Sequence, residues 1–235
     1  MSLQSAFDSP ERKRAYNRAL FTTIADRYDV ITAVLSYGQD ARWKRTLIAL
    51  AQVQPGERAL DLACGTGDIA FAAAAKGARV VGLDLTHRML QLAAQKSRAA
   101  EFVTGDMTSL PFPSQAFDLV TTGYGLRNVP DLNLAIDEIA RVLRPGGRLL
   151  SLDFNRPQPA LIRAVYLSYL TVVGATLGWI LHRDPDTYRY IPASICRYPG
   201  AAGVAALLAA RGFTNVRVVP LLFGLMTLHL AERAR

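Results

Sequence analysis

Arg58-Ala-Leu-Asp61-Leu-Ala-Cys64-Gly65-Thr66-Gly67-Asp68-Ile-Ala70 reads as a buried strand that stops in a glycine turn and passes straight into a helix. Gly65 and Gly67 carry no Cβ, so the turn can fold tightly and let a ligand lie against the backbone. The helix behind it offers unpaired N–H groups and a partial positive charge at its first turn. A nucleotide-like molecule suits such a turn. The spacing Gly65-x-Gly67-x-x-Ala70 also passes as a dinucleotide fingerprint, so the segments that follow decide which molecule.

The next strand-like segment, Ala78-Arg-Val-Val-Gly-Leu-Asp84-Leu85, ends in an acid seventeen residues after Gly67. An acid at the tip of a second strand is placed to accept hydrogen bonds from two ribose hydroxyls, which fits NAD and S-adenosylmethionine alike. A third segment, Ala100-Glu-Phe-Val-Thr-Gly105-Asp106-Met107, ends in another acid and leads into Leu110-Pro-Phe-Pro113. Phe117 to Gly123 gives a fourth strand. The fifth follows Pro145-Gly146-Gly147, which ends a helix and turns the chain into Arg148-Leu-Leu-Ser-Leu-Asp-Phe154. This order resembles the class I S-adenosylmethionine-dependent methyltransferases, which combine the Asp106 acid, the Leu-Pro-Phe loop and the Arg-Pro-Gly-Gly turn. The resemblance implies an α/β, Rossmann-like fold: a seven-stranded, mostly parallel sheet with helices on both faces and a helical cap. The expected division is an N-terminal helical cap and substrate entrance over 1–50, then a cofactor-binding domain over 51–235.

Composition agrees with one enzyme domain. The chain has 235 residues, enough to bury a sizeable core, and the alternation of strand and helix patterns argues for a parallel sheet covered on both faces. Its two cysteines, Cys64 and Cys196, make neither a disulfide framework nor a metal site, and no trio of His, Cys or carboxylates has metal-ligand spacing. Met1 to Arg14 is polar and charged, without the apolar core of a signal peptide, which predicts cytoplasmic residence. The formal charge of +8 satisfies RNA, anionic lipid or plain solubility. Its basic residues are scattered, without the aromatic-interleaved cluster of a nucleic-acid platform, so a peripheral position at the inner membrane face is expected and nucleic acid is not.

Ala160 to Leu181 is a mostly apolar run containing Gly174-x-x-x-Gly178, long enough to span a bilayer. Arg163, Tyr166, Ser168, Tyr169 and Thr171 interrupt it, and two later strand patterns, Val216–Leu221 and Gly224–Ala231, must rejoin the sheet. The run over about 157–182 is therefore expected as an inserted cap helix whose apolar face meets a greasy substrate or the membrane surface, with core packing as the alternative.

Upstream stands Tyr28-Asp29…Ser36-Tyr37-Gly38…Trp43-Lys44. With Gly123-Tyr124-Gly125-Leu-Arg127-Asn128, Arg141-Val-Leu-Arg-Pro-Gly-Gly, Asp186-Thr-Tyr188 and Thr227-Leu-His229, it resembles the ubiquinone/menaquinone biosynthesis C-methyltransferases from Tyr28 to the C-terminus. Ile31-Thr32 stands where that family usually has Met-Asn, Asp40 where it usually has histidine, and Gly123 where serine is common. The resemblance implies S-adenosylmethionine as cofactor and transfer of its methyl to a ring carbon of a polyprenylated quinol. It places Gly65, Thr66 and Gly67 beside the methionine and ribose, Asp84 on the ribose hydroxyls and Leu85 against the adenine. Asp106 would accept from the adenine amino group, with Met107 near the ring and Gly123 in the same set.

A quinol carbon becomes nucleophilic when an adjacent phenol loses its proton, and phenolic pKa is about 10. Arg127, a permanent cation, and Asn128 are expected to polarise the quinol hydroxyl, with Tyr28 beside them. Trp43, Tyr124, Tyr188 and His229 are expected to contact substrate; His229 is also a candidate base by its unperturbed pKa, with a hydrogen-bonded strand residue as the alternative. A phospholipid-amine methyltransferase and a non-catalytic nucleotide-fold binder stand as alternatives, and monomer and homodimer both remain open.

Overall fold

The structure is a computed structural model and describes residues 3–235. The glycine turn joins β1 (Arg58–Leu62) to α4 (Asp68–Ala74), after the N-terminal helices α1 (Pro10–Ile24), α2 (Tyr28–Leu35) and α3 (Asp40–Ala51). Then come β2 (Arg79–Asp84), α5 (His87–Lys96), β3 (Glu101–Thr104), β4 (Phe117–Gly123), α6 (Leu132–Val142) and β5 (Leu143–Phe154). Three helices, α7 (Ala160–His182), α8 (Tyr190–Arg197) and α9 (Gly200–Ala210), precede the closing strands β6 (Phe213–Leu221) and β7 (Met226–Arg233).

The sheet order is β3-β2-β1-β4-β5-β7-β6. β1 pairs in parallel with both β2 and β4, with Leu60 opposite Val81 and Val120, while β7 runs antiparallel to both of its neighbours. The expected seven-stranded, mostly parallel sheet is what forms. The order of strands reverses between β1 and β4, and in open α/β sheets that switch point opens a crevice at the carboxyl edge. Alternation along β1 sends Leu60 and Leu62 to a core shared with α6 and α9, and Ala59 to a core shared with α3 and α4. Both faces are covered, which explains why the strands read as nearly continuous apolar runs.

Gly67 caps α4 with φ +90, and a Cβ there would stand 2.7 Å from the Phe71 ring. Any other residue there would be strained by the left-handed backbone and would have to push the Phe71 ring aside.

Above the carboxyl edge lies a helical cap. Ile24, Ile31, Leu35 and Tyr188 form one small core and Tyr166, Leu170 and Ile195 another, joining the N-terminal helices to α7 and α8. Helix α3 buries Trp43, Leu47, Ile48 and Ala51 in the core it shares with α4 and the sheet. Helix α7 is long and apolar enough to cross a membrane. Its two glycines, however, seat the following turn: a Cβ on Gly174 would lie 3.1 Å from Tyr188 Cβ, and one on Gly178 would collide with the Asp184 carbonyl. Gly178→Ala is therefore expected to destabilise the protein by about 1–3 kcal/mol, as overpacking does. Urea unfolding of the variant at wild-type stability would contradict that packing.

Candidate active site

Two cavities of similar size lie beneath the cap. The first, of about 700 Å³, opens along the carboxyl edge over Ala63, Gly65, Asp84, Leu85, Asp106, Met107 and Gly123. The second, of about 760 Å³, is enclosed mainly by apolar and aromatic side chains of the cap, among them Leu20, Ile31, Trp43, Phe154, Tyr166 and Tyr188. Phe21, Tyr28, Tyr124 and Asn128 line both. A molecule in either cavity would meet one in the other at that wall.

The first cavity is built from strand ends. Asp84 closes β2, and its oxygens accept from Gly65 N (2.9 Å) and Thr86 N (2.8 Å), tying the second strand to the glycine turn. Each oxygen retains acceptor capacity for a hydroxyl. Asp106 accepts from the Thr108 amide (2.8 Å) and hydroxyl (2.7 Å) on one oxygen, and Arg14 Nε of α1 lies 2.5 Å from the other. That cover is not legible in the sequence, since 92 residues separate Arg14 from Asp106. Helix α1 is also pinned by Lys13, which donates to Val129 O (2.6 Å), and by Asn17, which donates to Asn128 O (2.5 Å). Burial, with the neighbouring Arg127 charge, lowers Lys13 to a pKa of about 8.

A polar recess of about 300 Å³ continues from the first cavity past Gly65 and Thr66 to Lys44, Asp61 and Asp68. Thr66 lines it and donates to Asp29 Oδ1 (2.7 Å); Gly67 lines neither it nor the cavities and serves the turn. Lys44 bridges Asp40 (2.6 Å) and Asp68 (2.9 Å). Asp61 accepts from Thr121 on one oxygen (2.8 Å), while the other is buried without a protein partner among the described residues. Burial pushes the Asp61 carboxyl up to about 7, against the Thr121 hydrogen bond and the Lys44 charge.

The loop after β4 brings Arg127 and Asn128 to the second cavity, and Asn128 to the shared wall. Arg127 is buried: Nε lies 3.4 Å from Asp153 Oδ1, Nη1 donates to Ser194, and the guanidinium stands 4.9 Å from the Phe154 ring centre. Asn128 Nδ2 donates to Tyr124 O (2.7 Å), and its buried Oδ1 is an acceptor without a partner among the described residues. Burial raises the Tyr28 phenol to about 12 and the Tyr124 phenol well above its usual value, so both are neutral donors. Tyr188 lines the second cavity and shares a 2.9 Å hydrogen bond with His182. His229 does not join them. It faces α9, fully buried, with Nε2 3.0 Å from Ala201 O and its pKa lowered by burial, and it lines neither cavity.

The chain matches the model of the ubiE/COQ5 methyltransferase family over residues 10–233. A demethylmenaquinone methyltransferase of Thermus thermophilus is 40% identical over 220 residues, covering 91% of this chain and all of that one. One of Thermobifida fusca is 38% identical, covering 92% and 94%. The fold is shared with a Thermotoga maritima protein described as a possible histamine N-methyltransferase (TM-score 0.68, 17% identity, covering 92% of this chain and 99% of that one). The chain belongs to the ubiE/COQ5 methyltransferase family and is an S-adenosylmethionine-dependent methyltransferase.

The first cavity and its recess fit that cofactor. The orphaned Asp61 oxygen can take an ammonium, Lys44 a carboxylate, and the Asp84 oxygens a ribose, along one continuous cleft. The raised Asp61 pKa has a consequence for the free protein. Below about pH 4 folded and unfolded chains both hold the proton; between 3.8 and about 7 only the folded chain does. Stability from this group is thus full below the unfolded value and lost as pH rises through about 7. Asp61→Asn is expected to flatten the fall in unfolding free energy between pH 5 and pH 8 in urea titrations, and parallel wild-type and variant profiles would contradict it.

Proposed function

We propose that this member of the ubiE/COQ5 methyltransferase family transfers a methyl group from S-adenosylmethionine to a ring carbon of a polyprenylated naphthoquinol, a demethylmenaquinol. The supporting observation is the pair of cavities, one polar-ended along the carboxyl edge and one apolar under the cap, that share Phe21, Tyr28, Tyr124 and Asn128. The relatives at about 40% identity carry the matching acceptor in their names.

Bound S-adenosylmethionine supplies a sulfonium methyl that is electrophilic without further activation. The protein's task is then alignment and favouring phenolate over phenol. Gly65, Thr66 and Asp61 hold the methionine end, Asp84 the ribose, and Leu85, Asp106 and Met107 the adenine, with Gly123 on the floor. Arg14 covers the Asp106 edge. The acceptor ring sits against Tyr28 and Trp43, with Tyr188 deeper in the cap. A 1,4-quinol has two hydroxyls; Asn128 Oδ1 accepts from one and fixes the ring. Arg127 lends its permanent charge to the phenolate, its Nη2 having no protein partner among the described residues.

The oily acceptor also accounts for the protein's surface. Val30, Val34 and Tyr37 around α2, and Leu161, Val165, Val172 and Trp179 along α7, are exposed around the cap. Tyr37 stacks on Tyr169 with ring centres 5.2 Å apart, joining the two helices at the second cavity's lining. Phe223, fully exposed, follows Leu222 of that same lining. Arg27 precedes α2 and Arg183 follows α7, and both are exposed. Such a rim suits the surface of an anionic bilayer, from which a prenylated ring enters while its tail stays in lipid.

Incubation with S-adenosylmethionine and demethylmenaquinol, a demethylated benzoquinol or phosphatidylethanolamine, followed by mass spectrometry, tests the acceptor. One added methyl on the naphthoquinol is expected; methylation of the lipid amine alone would overturn the reading. Asn128→Ala should lower kcat on the order of a hundredfold. It is a cleaner test than Arg127→Ala, which strands Asp153 as an unpaired buried charge at a cost of about 3–5 kcal/mol. In flotation with phosphatidylglycerol vesicles the protein should rise with the lipid, and Trp179→Glu with Phe223→Glu should keep it at the bottom. Flotation unchanged by that pair would remove the rim from the account.

A further inference from the structure

Tyr124 is held on three sides at the wall between the cavities. Its φ is +61, a left-handed conformation that is rare and costly for an aromatic residue and tends to persist only where surroundings impose it. Its N–H donates to Leu152 O (2.7 Å) and its carbonyl accepts from Asn128 Nδ2 (2.7 Å). Its hydroxyl donates to Asp40 Oδ1 at 2.6 Å, across 84 residues of sequence. A phenol that donates one hydrogen bond keeps lone pairs with which to accept another.

Asp40 itself lines neither cavity. It opens α3, where the helix N-terminus favours a carboxylate, and its second oxygen is 2.6 Å from Lys44 Nζ. A charge-stabilised carboxylate thus sits behind a neutral phenol that borders both cavities. Asn128 Oδ1 serves one hydroxyl of a quinol and leaves the other without a proton acceptor.

We propose that Tyr124 and Asp40 form a proton relay for the hydroxyl beside the reacting carbon. The hydroxyl proton passes to Tyr124 Oη as the tyrosine's own proton moves to Asp40 Oδ1. The oxygen's electron pair is delocalised onto the ring carbon, which forms the bond to the methyl while the carbon–sulfur bond breaks and its electrons stay on sulfur. The tetrahedral ring carbon then releases its hydrogen as a proton to water, restoring the aromatic ring. Asp40 returns its proton through Tyr124 to the ring oxygen, so one proton is released per turnover. Tyr124 is the residue that touches the acceptor; Asp40 acts through it. The relay rests on the reading of the second cavity as a quinol site.

The test is steady-state kinetics of Tyr124→Phe, Asp40→Asn, Asp40→Glu and the Tyr124→Phe/Asp40→Asn double variant on demethylmenaquinol, with thermal unfolding of each. Tyr124→Phe and Asp40→Asn should each lower kcat about a hundredfold. The double variant should fall no further, because the two groups act as a unit. Asp40→Glu should recover at least a tenth of wild-type turnover. A halogenated naphthoquinol already ionised at assay pH should bypass the relay and bring each single variant within about tenfold of wild type, which a merely structural role would not do. Wild-type kcat in either single variant, multiplicative losses in the double variant, or a deficit unchanged with the halogenated acceptor overturns the relay alone. Wild-type protein that methylates no naphthoquinol overturns the acceptor reading and the relay together.

Discussion

Arg127 and Asp153 form an ion pair buried beneath the cap, and the loop that joins the two cavities is organised around it. Asp153 accepts from the Arg127 backbone N–H (3.0 Å) and from Phe154 N (2.8 Å) as well as facing the guanidinium. Burial raises the Asp153 carboxyl and the Arg127 charge and these hydrogen bonds oppose that rise. Removing two charges from water is expensive, so the pair is weak evidence of stability. What it fixes is place. Arg127 cannot move without stranding Asp153, and Asn128, its neighbour, is then confined to the wall that both cavities share.

The cap attaches to this loop through polar contacts and to itself through apolar ones. Lys13 and Asn17 of α1 donate to backbone carbonyls at 127–129, while Tyr188, Ile31 and Leu35 pack the helices together above. The division suits a site that must hold a charged donor and an oily acceptor a few ångströms apart. Directional hydrogen bonds register the cap over the carboxyl edge, and the non-directional apolar packing leaves room for a ring. The small residues of α7 belong to the same arrangement, since Gly174 and Gly178 let the 184–188 turn approach and bring Tyr188 to the lining of the second cavity.

Much of this was legible in the sequence because it is local. The turn at Gly65–Gly67 and the acids Asp84 and Asp106 at or just past successive strand ends each declare themselves within a few residues; the Pro145-Gly146-Gly147 run, read as a turn ahead of the fifth strand, lies inside β5 where its pairing with β4 shifts register. Arg127, Asn128, Tyr28, Trp43 and Tyr188 came from the family resemblance, and the fold gathers them around the second cavity. What escaped depends on distant pairs: Arg14 with Asp106, Asp40 with Tyr124, and the orphaned oxygen of Asp61. His229 misled for a different reason. A strand residue points to one face or the other by a period of two, and only the placement of α9 determines that its face is not the site's. The apolar stripe of α3 likewise does not announce in sequence that the sheet and α4 will cover it.

On the proposed function, donor and acceptor occupy separate cavities and meet at Phe21, Tyr28, Tyr124 and Asn128. A crystal structure with S-adenosylhomocysteine and a short-chain naphthoquinol bound together measures it most directly. The thioether sulfur is expected beside that wall from the carboxyl-edge side, with a ring carbon facing it from the cap side within about 5 Å, the sum of a near-attack approach and one carbon–sulfur bond. A ring bound outside the cap, or a nucleoside lying in the apolar cavity, would contradict it.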